Sequence, residues 1–202
     1  MVRRWFVIGA CVLFALIIAA RPAAAAADPA AMIAELGNQA LQLLGNKVSA
    51  DQRVARFREL FTQDFDVPGI ARFVLGRYWN IATPAQQQEY VGLFTNYIAL
   101  AYSNRLAEYS GETLRVMGTR PGPGGPVVSS EIIRPNGAPP ARVDWLLTQH
   151  DSGYRISDVV VEGISMATTQ RSEFAAVIQR NGGQVQGLIT ALRQKTEAAG
   201  LH

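Results

Sequence analysis

Apolar residues recur every three or four positions through the first half of the chain, a spacing that predicts amphipathic helices. The pattern over 28–46 predicts a first helix. A second helix begins after Ser49, because Ser49 and Gln52 have the spacing of a capping box, in which each side chain bonds the other's backbone amide. The apolar positions of this second helix form one aromatic-rich side, and they are Val54, Phe57, Leu60, Phe61 and Phe65.

Two further helices follow a break at 66–69. Residues 70–79 predict a short helix. Thr83 and Pro84 then begin a long helix that ends near residue 109, since proline suits the first helical position. The apolar stripe of the long helix is wide enough to need apolar surroundings on two sides. Two interpretations are open for it: a central core helix, or one wall of a ligand cavity.

The second half of the chain alternates between apolar and polar residues, which predicts β-strands. We expect strands over 112–118, 127–134, 141–149 and 154–161, with 119–126 as a loop rich in glycine and proline. Turn residues between successive strands predict hairpins and therefore an antiparallel meander of about four strands. Because helices are grouped before and after this sheet, the fold class is α+β.

The segment 154–174 leads from the last strand into a helix. Gly163 releases the chain from the strand, and Thr168 or Thr169 can cap the helix by accepting a hydrogen bond from its first turn. This helix ends at 181–183, where Asn-Gly-Gly can adopt left-handed conformations. A last helix then carries the apolar residues Val185, Leu188, Ile189 and Leu192.

Strict alternation assigns the strand side chains to two faces. In the third strand, one face carries Val143, Trp145 and Leu147, and this face must be covered by other parts of the fold. In the fourth strand, alternation places Asp158 on the same face as Ile156 and Val160.

Two strand carboxylates need an explanation, because a buried carboxylate requires a partner. For Asp158, that partner could be Arg142, Arg155 or a backbone amide. We expect both Asp144 and Asp158 to form cross-strand ion pairs at the rim of the sheet rather than a pair of catalytic carboxylates.

The opening segment 1–27 predicts a cleaved secretory signal. It has arginines at positions 3 and 4, an unbroken apolar run over 5–20 and small residues before Asp28. The folded protein would then be a single domain over 28–202. The alternative is a retained membrane anchor, although the sixteen apolar residues of 5–20 fall short of the ~20 that span a bilayer.

Removal of 1–27 changes the balance of charge. It takes away three of the 19 basic residues and no acidic one, so that 16 basic residues face 16 acidic ones. A neutral chain without a basic stripe is not expected to bind nucleic acid. The single cysteine lies in the same segment, so the core rather than disulfides must hold the fold.

Three short motifs suggest chemistry, and each is incomplete. Residues 163–167, Gly-Ile-Ser-Met-Ala, lie between a strand and a helix, as a hydrolase nucleophile elbow does. Its Ser165 would need a base, and the histidines beyond residue 27 are His150, in a hairpin turn, and the terminal His202. Zinc sites need several histidines or thiolates, and the loop 122–125 lacks the lysine of a nucleotide-binding loop. We predict no enzyme activity, no metal and no cofactor.

Several segments together resemble the MlaC or toluene-tolerance (Ttg2) family. They are RFVLGRYW at 72–79, ATPAQQQEY at 82–90, YSGE at 109–112, VDW at 143–145 and DVVVEGISMATTQRSEF at 158–174. The resemblance covers about residues 31–195, and its specificity comes from the occurrence of all these segments in the same order rather than from any one of them. It implies a periplasmic carrier that shuttles phospholipid between an outer-membrane lipoprotein complex and an inner-membrane ABC transporter with an MCE-domain protein. The implied fold is related to the NTF2-like cone, with acyl chains held between sheet and helices.

The resemblance leaves the cargo open. Residues 132–140 and 179–183 resemble a hopanoid-associated branch of the family equally well, so a hopanoid or another polycyclic lipid is the alternative cargo. A different class of function is an interaction module whose apolar interior is only core. An internal cavity would favour the carrier, and we expect its lining, and hence the lipid-binding residues, to be Phe73, Val74, Phe94, Tyr97, Trp145, Leu147, Val160 and Phe174.

Overall fold

The computed structural model describes residues 28–42, 48–106 and 111–201. The helices are α1 (Pro29–Gln42), α2 (Ala50–Asp64), α3 (Val67–Leu75), a 3-10 helix (Gly76–Asn80), α4 (Pro84–Leu106), α5 (Met166–Arg180) and α6 (Val185–Glu197). The strands are β1 (Thr113–Gly122), β2 (Gly125–Ile133), β3 (Ala141–His150), β4 (Gly153–Val161) and β5 (Ile164–Ser165). The predicted signal segment, the ends of the first and long helices at 46 and 109, and His202 lie outside the described residues.

The predicted helix starts at Ser49 and Thr83 are confirmed. The Ser49 hydroxyl accepts a hydrogen bond from the Gln52 amide, and the Gln52 side chain accepts one from the Ser49 amide. Thr83 and Gln86 form the same reciprocal pair in front of α4. Each pair satisfies backbone donors that a helix start leaves without partners.

The short third helix differs from its prediction at both ends. It begins at Val67, because the Asp66 carboxylate caps it by accepting from the Gly69 amide and Pro68 suits the first turn. It ends at Leu75, since Gly76 takes a positive φ of 59° that a regular helix does not allow. The chain then continues as a 3-10 helix to Asn80 rather than as one helix over 70–79.

The five strands form one antiparallel meander in the order β1-β2-β3-β4-β5, with helices before and after it. The α+β class and the meander are therefore confirmed. The predicted loop at 119–126 is wrong in extent, because β1 continues to Gly122 and pairs with β2 up to Gly125. Glycine and proline here close a long hairpin at 123–124 rather than forming a loop.

A register shift in β4 changes which side chains share a face. Leu147 lies opposite Ile156, but Leu146 lies opposite Asp158, so Ser157 is an extra residue in β4. A bulge of this kind reverses the alternation that follows it. Val159 therefore lies opposite Trp145 and shares its face, and the predicted grouping of Ile156 with Val160 is wrong.

The outer edge of β4 is covered at two separate points. Phe65, between α2 and α3, forms a bridge to Ile156, and the Asp66 amide donates to the Ile156 carbonyl oxygen at 2.9 Å. The two residues of β5 pair instead with Val160 and Val161. Residues 157–159 lie between these two points.

Two hydrophobic clusters hold the layers together. The first joins the helices α2 to α6 around Tyr90 and Phe94. The second packs α1 on the sheet, and its buried members are Ile33, Leu36, Val128, Leu147 and Ile156. Phe65 packs against both clusters. Within the part of the chain that the structure describes, no helix is long and apolar enough to cross a membrane.

The long helix α4 is buried on more than one side, as its wide apolar stripe predicts. Tyr90 and Phe94 are fully buried in the first cluster, and Ala99 and Ser103 are buried as well. The Tyr90 hydroxyl donates a hydrogen bond of 3.1 Å to the Ala71 carbonyl oxygen, which ties α4 to α3. Burial raises the pKa of Tyr90, so its hydroxyl stays protonated and keeps this bond.

Replacing Tyr90 with phenylalanine should lower the free energy of unfolding by about 1 kcal/mol, because the ring stays and only the hydrogen bond to Ala71 is lost. Tyr97→Phe is the control, since its ring packs on Phe174 at a partly buried position. Chemical denaturation would measure both variants. Equal losses in the two variants would contradict the assigned role of the Tyr90 hydroxyl.

Candidate functional site

A cavity of about 490 Å³ lies between the helices and the sheet. Its size falls within the ~300–1,000 Å³ that is usual for small-molecule sites. Most of its wall is apolar and comes from α2, α3, α4 and the face of the sheet that carries Trp145. The lining residues are Phe57, Phe61, Phe65, Ile70, Val74, Phe94, Ile98, Tyr102, Trp145, Ser157, Asp158, Val159, Val161, Glu162, Ile164, Met166, Ala167 and Gln170.

Three phenylalanines of the α2 segment form an aromatic wall. Phe57, Phe61 and Phe65 are spaced four residues apart, and this spacing places them on one side of a helix. The rings of Phe61 and Phe65 lie 5.0 Å apart, and Phe61 lies 6.3 Å from Phe94 of α4. The sequence predicts that these phenylalanines share one side of the helix, and in the structure all three line the cavity.

Trp145 forms the sheet side of the cavity and is fixed by a hydrogen bond. Its indole nitrogen donates to the Ser130 hydroxyl oxygen at 2.9 Å, and that hydroxyl donates to the Val143 carbonyl oxygen at 3.1 Å. Ser130 is buried, so water does not compete for this chain of bonds. The polar edge of the indole is thus satisfied within the sheet, while its ring lines the cavity.

The polar end of the cavity is organised by Asp158. Its carboxylate accepts hydrogen bonds from the amides of Val159 at 2.8 Å and Ala167 at 3.0 Å, and from the Ser165 hydroxyl. Backbone amides, one of the three expected partners, therefore hold it. The predicted ion pair is wrong for Asp158, because Arg155 instead donates to the carbonyl oxygens of α2.

The prediction for Asp144 is confirmed. Its carboxylate accepts from the Ser129 hydroxyl at 2.6 Å and pairs with Arg120 of β1 at 2.7 Å. The hydrogen bond from Ser129 is the main cause that holds the pKa of Asp144 below its ordinary value, and the hydrogen bond and charge of Arg120 act in the same direction. Asp144 lies opposite Val160 on the sheet face away from Trp145, so this ion pair stands apart from the cavity.

The cavity opens to solvent beside β5. Ile164 lines the cavity and is nevertheless 59% exposed. Glu162 lies at the same opening, with a positive φ of 50°, and its carboxylate accepts from the Arg142 amide. Among the described lining residues, the charged side chains are those of Asp158 and Glu162.

Of the eight residues expected to line the cavity, Val74, Phe94 and Trp145 do so. The predicted contact of these residues with a lipid stays a prediction. Their positions were read from helical spacing and from strand alternation before the bulge, where both patterns hold.

The other five residues lie elsewhere. Phe73 is 44% exposed and contacts the Arg171 guanidinium, because Ile70, Ala71, Val74 and Leu75 fill the inner side of α3. Phe174 is buried among other rings, and Tyr97 packs between it and Lys195. Leu147 belongs to the cluster beneath α1. Val160 lies on the opposite face of the sheet as a consequence of the Ser157 bulge.

The motif around Ser165 is a helix start rather than a nucleophile elbow. Ser165 caps α5, and its hydroxyl oxygen accepts from the Thr168 amide at 3.0 Å while it donates to Asp158. Thr168 and Thr169 are thus inside the helix, and the expectation that one of them caps it is wrong. His150 lies on another edge, near Asp66 at 3.9 Å. Over the described ranges, no group of three potential metal-binding side chains is present.

Residues 33–194 match the sequence model of the protein family that is described as "MlaC protein". The chain belongs to the MlaC family. A curated relative in this family comparison, the toluene tolerance protein Ttg2D of Pseudomonas putida, is 26% identical over 125 residues, which are 61% of this chain. The match spans 58% of that relative's own length.

A solved structure shares the MlaC fold described above. It is a phospholipid-binding protein from Ralstonia solanacearum in complex with a phospholipid, with a TM-score of 0.71 and 24% sequence identity. The similarity covers 85% of this chain and 98% of the other. At that identity, the likeness supports the fold of the MlaC chain.

The Ser165→Ala change tests the role of this residue. It should lower the free energy of unfolding by about 1–2 kcal/mol, because α5 loses its cap and Asp158 loses a donor. Ser172→Ala on the exposed side of the same helix is the control and should be nearly neutral. Thermal unfolding would measure both. Ester hydrolysis by the wild type that disappears in Ser165→Ala would contradict the assignment.

Proposed function

We propose that this protein is a periplasmic carrier that holds the acyl part of a phospholipid in the cavity beside Trp145. The observation that carries the proposal is an apolar cavity of about 490 Å³ that opens to solvent beside β5. The phospholipid complex of the Ralstonia protein, which has the same fold, supports this cargo. An interaction module without cargo would be expected to fill this space with its own side chains.

The energetics of transfer explain why a carrier needs such a cavity. Burial of each methylene is worth about 0.8 kcal/mol, so one chain of about sixteen carbons represents on the order of 10 kcal/mol. That free energy keeps the lipid in a membrane unless another apolar environment replaces it. The aromatic wall of α2 and the sheet face with Trp145 provide such an environment.

The same energetics limit how tightly the cargo is held. A cavity that bound the lipid much more strongly than a bilayer would not release it, so we propose a similar affinity for both. A carrier of this kind has no direction of its own, because a ligand shifts an equilibrium only through differential affinity. Direction then comes from the proposed partners, an outer-membrane lipoprotein complex and an inner-membrane ABC transporter with an MCE-domain protein.

Cargo retention tests the proposal directly. Native mass spectrometry of the purified protein should show bound lipid, and extraction should identify it as a phospholipid. A polycyclic lipid in the extract would change the proposed cargo but would still support the carrier function. A protein that stays folded after delipidation and takes up no lipid from vesicles would rule the carrier out.

Two neighbouring residues of β4 offer a matched pair of variants. Val159 lines the cavity, whereas Val160 lies on the other face of the sheet. Val159→Phe should reduce the retained lipid severalfold, because the added ring would occupy part of the space that an acyl chain needs. Val160→Phe should retain lipid as the wild type does. Equal lipid content in the two variants would show that the cargo is bound elsewhere.

Trp145 provides a thermodynamic test. Trp145→Ala should reduce the stabilisation that added lipid gives, by about 1.4 kcal/mol if binding weakens tenfold. In the empty protein the cost should be below the roughly 3–5 kcal/mol of a close-packed aromatic residue, because the ring borders a cavity. Unfolding with and without lipid would measure both quantities. Leu146→Ala, on the opposite face of the sheet, is the control. If lipid raised the free energy of unfolding equally in the wild type and in both variants, Trp145 would be an ordinary core residue.

A further inference from the structure

The outer side of α3 and α5 presents arginines around an exposed aromatic ring. We refer to Arg72, Phe73, Arg77 and Arg171 as the α3–α5 seam. The three arginines are exposed, and Phe73 is 44% exposed. The Arg171 guanidinium carbon lies 5.2 Å from the centre of the Phe73 ring, a distance typical of a cation–π contact. The cavity described above does not use any of these four side chains.

The position of Arg171 is determined by Gly76. A Cβ atom at Gly76 would lie 2.8 Å from the Arg171 Nε, so a larger residue would displace the guanidinium. Gly76 also has the positive φ that ends α3. The turn between α3 and the 3-10 helix therefore leaves space for Arg171 to lie along the seam.

The positive charge of the seam is not neutralised within the described part of the chain. The four ion pairs found there involve Arg115, Arg120, His150 and Arg193, and none of them includes a seam arginine. Arg77 donates to the Tyr78 hydroxyl rather than to a carboxylate. Glu173 of α5 accepts a hydrogen bond from Gln170. The guanidinium groups thus keep donors that match the oxygens of a phosphate.

The seam adjoins the opening of the cavity. Ile70 and Val74 of α3 and Ala167 and Gln170 of α5 line the cavity, so the helices of the seam also form its wall. Arg171 follows Met166, which lines the cavity directly after β5, by five residues, which is about 7.5 Å along a helix axis. A surface that contacted the seam would therefore lie close to the opening beside β5.

We propose that the α3–α5 seam docks on the anionic headgroup layer of a lipid bilayer. Lipid phosphates would bind the arginines, and Phe73 would enter the boundary between headgroups and acyl chains, as phenylalanine does on membrane-surface helices. The purpose of this contact rests on the proposed function, because docking brings bilayer lipid to the cavity opening. This adjacency favours a bilayer over an acidic protein surface as the partner.

Vesicle binding tests the proposal. Sedimentation should show stronger binding to vesicles of phosphatidylcholine and phosphatidylglycerol in equal parts than to phosphatidylcholine alone, and salt should weaken it. The double variant Arg72→Gln, Arg171→Gln should bind the mixed vesicles about 25-fold more weakly, from about fivefold for each arginine. Phe73→Ala, which keeps every charge, should also bind more weakly.

The matched control is Arg56→Gln with Arg58→Gln, two exposed arginines of α2 whose loss changes the net charge equally. This control should bind as the wild type does, and unfolding measurements should show that all variants are folded. Equal weakening by both double variants, or no preference of the wild type for anionic vesicles, would overturn the proposal. Native mass spectrometry of the same samples distinguishes the two proposals. Retained lipid without vesicle binding would contradict only the docking role of the α3–α5 seam. Vesicle binding by a protein that takes up no lipid would contradict only the carrier function.

Discussion

The carboxylate of Asp158 joins the sheet to α5, and the candidate site depends on that junction. It accepts hydrogen bonds from the Val159 amide of β4 and the Ala167 amide of α5, and the Ser165 hydroxyl at the start of the helix donates a third. A negative charge near a helix N-terminus is favourable, because the unpaired amides there carry a partial positive charge. Asp158 directly follows Ser157, the extra residue in β4. The bulge and the helix start are thus one arrangement.

This arrangement explains why space remains between the layers. The bulge turns Val159 toward the helices, and the α2–α3 junction and β5 cover the β4 edge at separate points. The aromatic rings of α2 contact one another, and they also contact Phe94 and Tyr102 of α4. Aromatic pairs at such separations are favourable beyond the area that they bury, so these contacts hold the rings at the border of the space.

Features set by residues close in sequence could be predicted. The capping boxes of Ser49 and Thr83 depend on partners three residues away, and the meander depends on short turns. Val160 was misplaced because a bulge depends on the neighbouring strand, which periodicity does not contain. Phe73 was misplaced because the sequence of a short helix does not show which of its apolar residues the rest of the fold covers.

The difference between core and cavity is also beyond helical spacing. Helical spacing correctly places Phe57, Phe61 and Phe65 on one side of α2, but spacing does not show whether the interior beyond that side is filled. Trp145 and Leu147 illustrate the same limit within one strand. They share a face, yet Leu147 lies beneath α1 while Trp145 borders the space beside it.

The two attachments along β4 leave a gap between them. At one end, the Asp66 amide binds the Ile156 carbonyl oxygen, and the Asp66 carboxylate also caps α3, so the α2–α3 junction is clamped to the sheet. At the other end, the two residues of β5 pair with Val160 and Val161, and Asp158 binds Ser165 and Ala167 beside them. Between these two attachments, neither segment pairs with residues 157–159 of β4, and this uncovered stretch of the strand edge is part of the cavity wall.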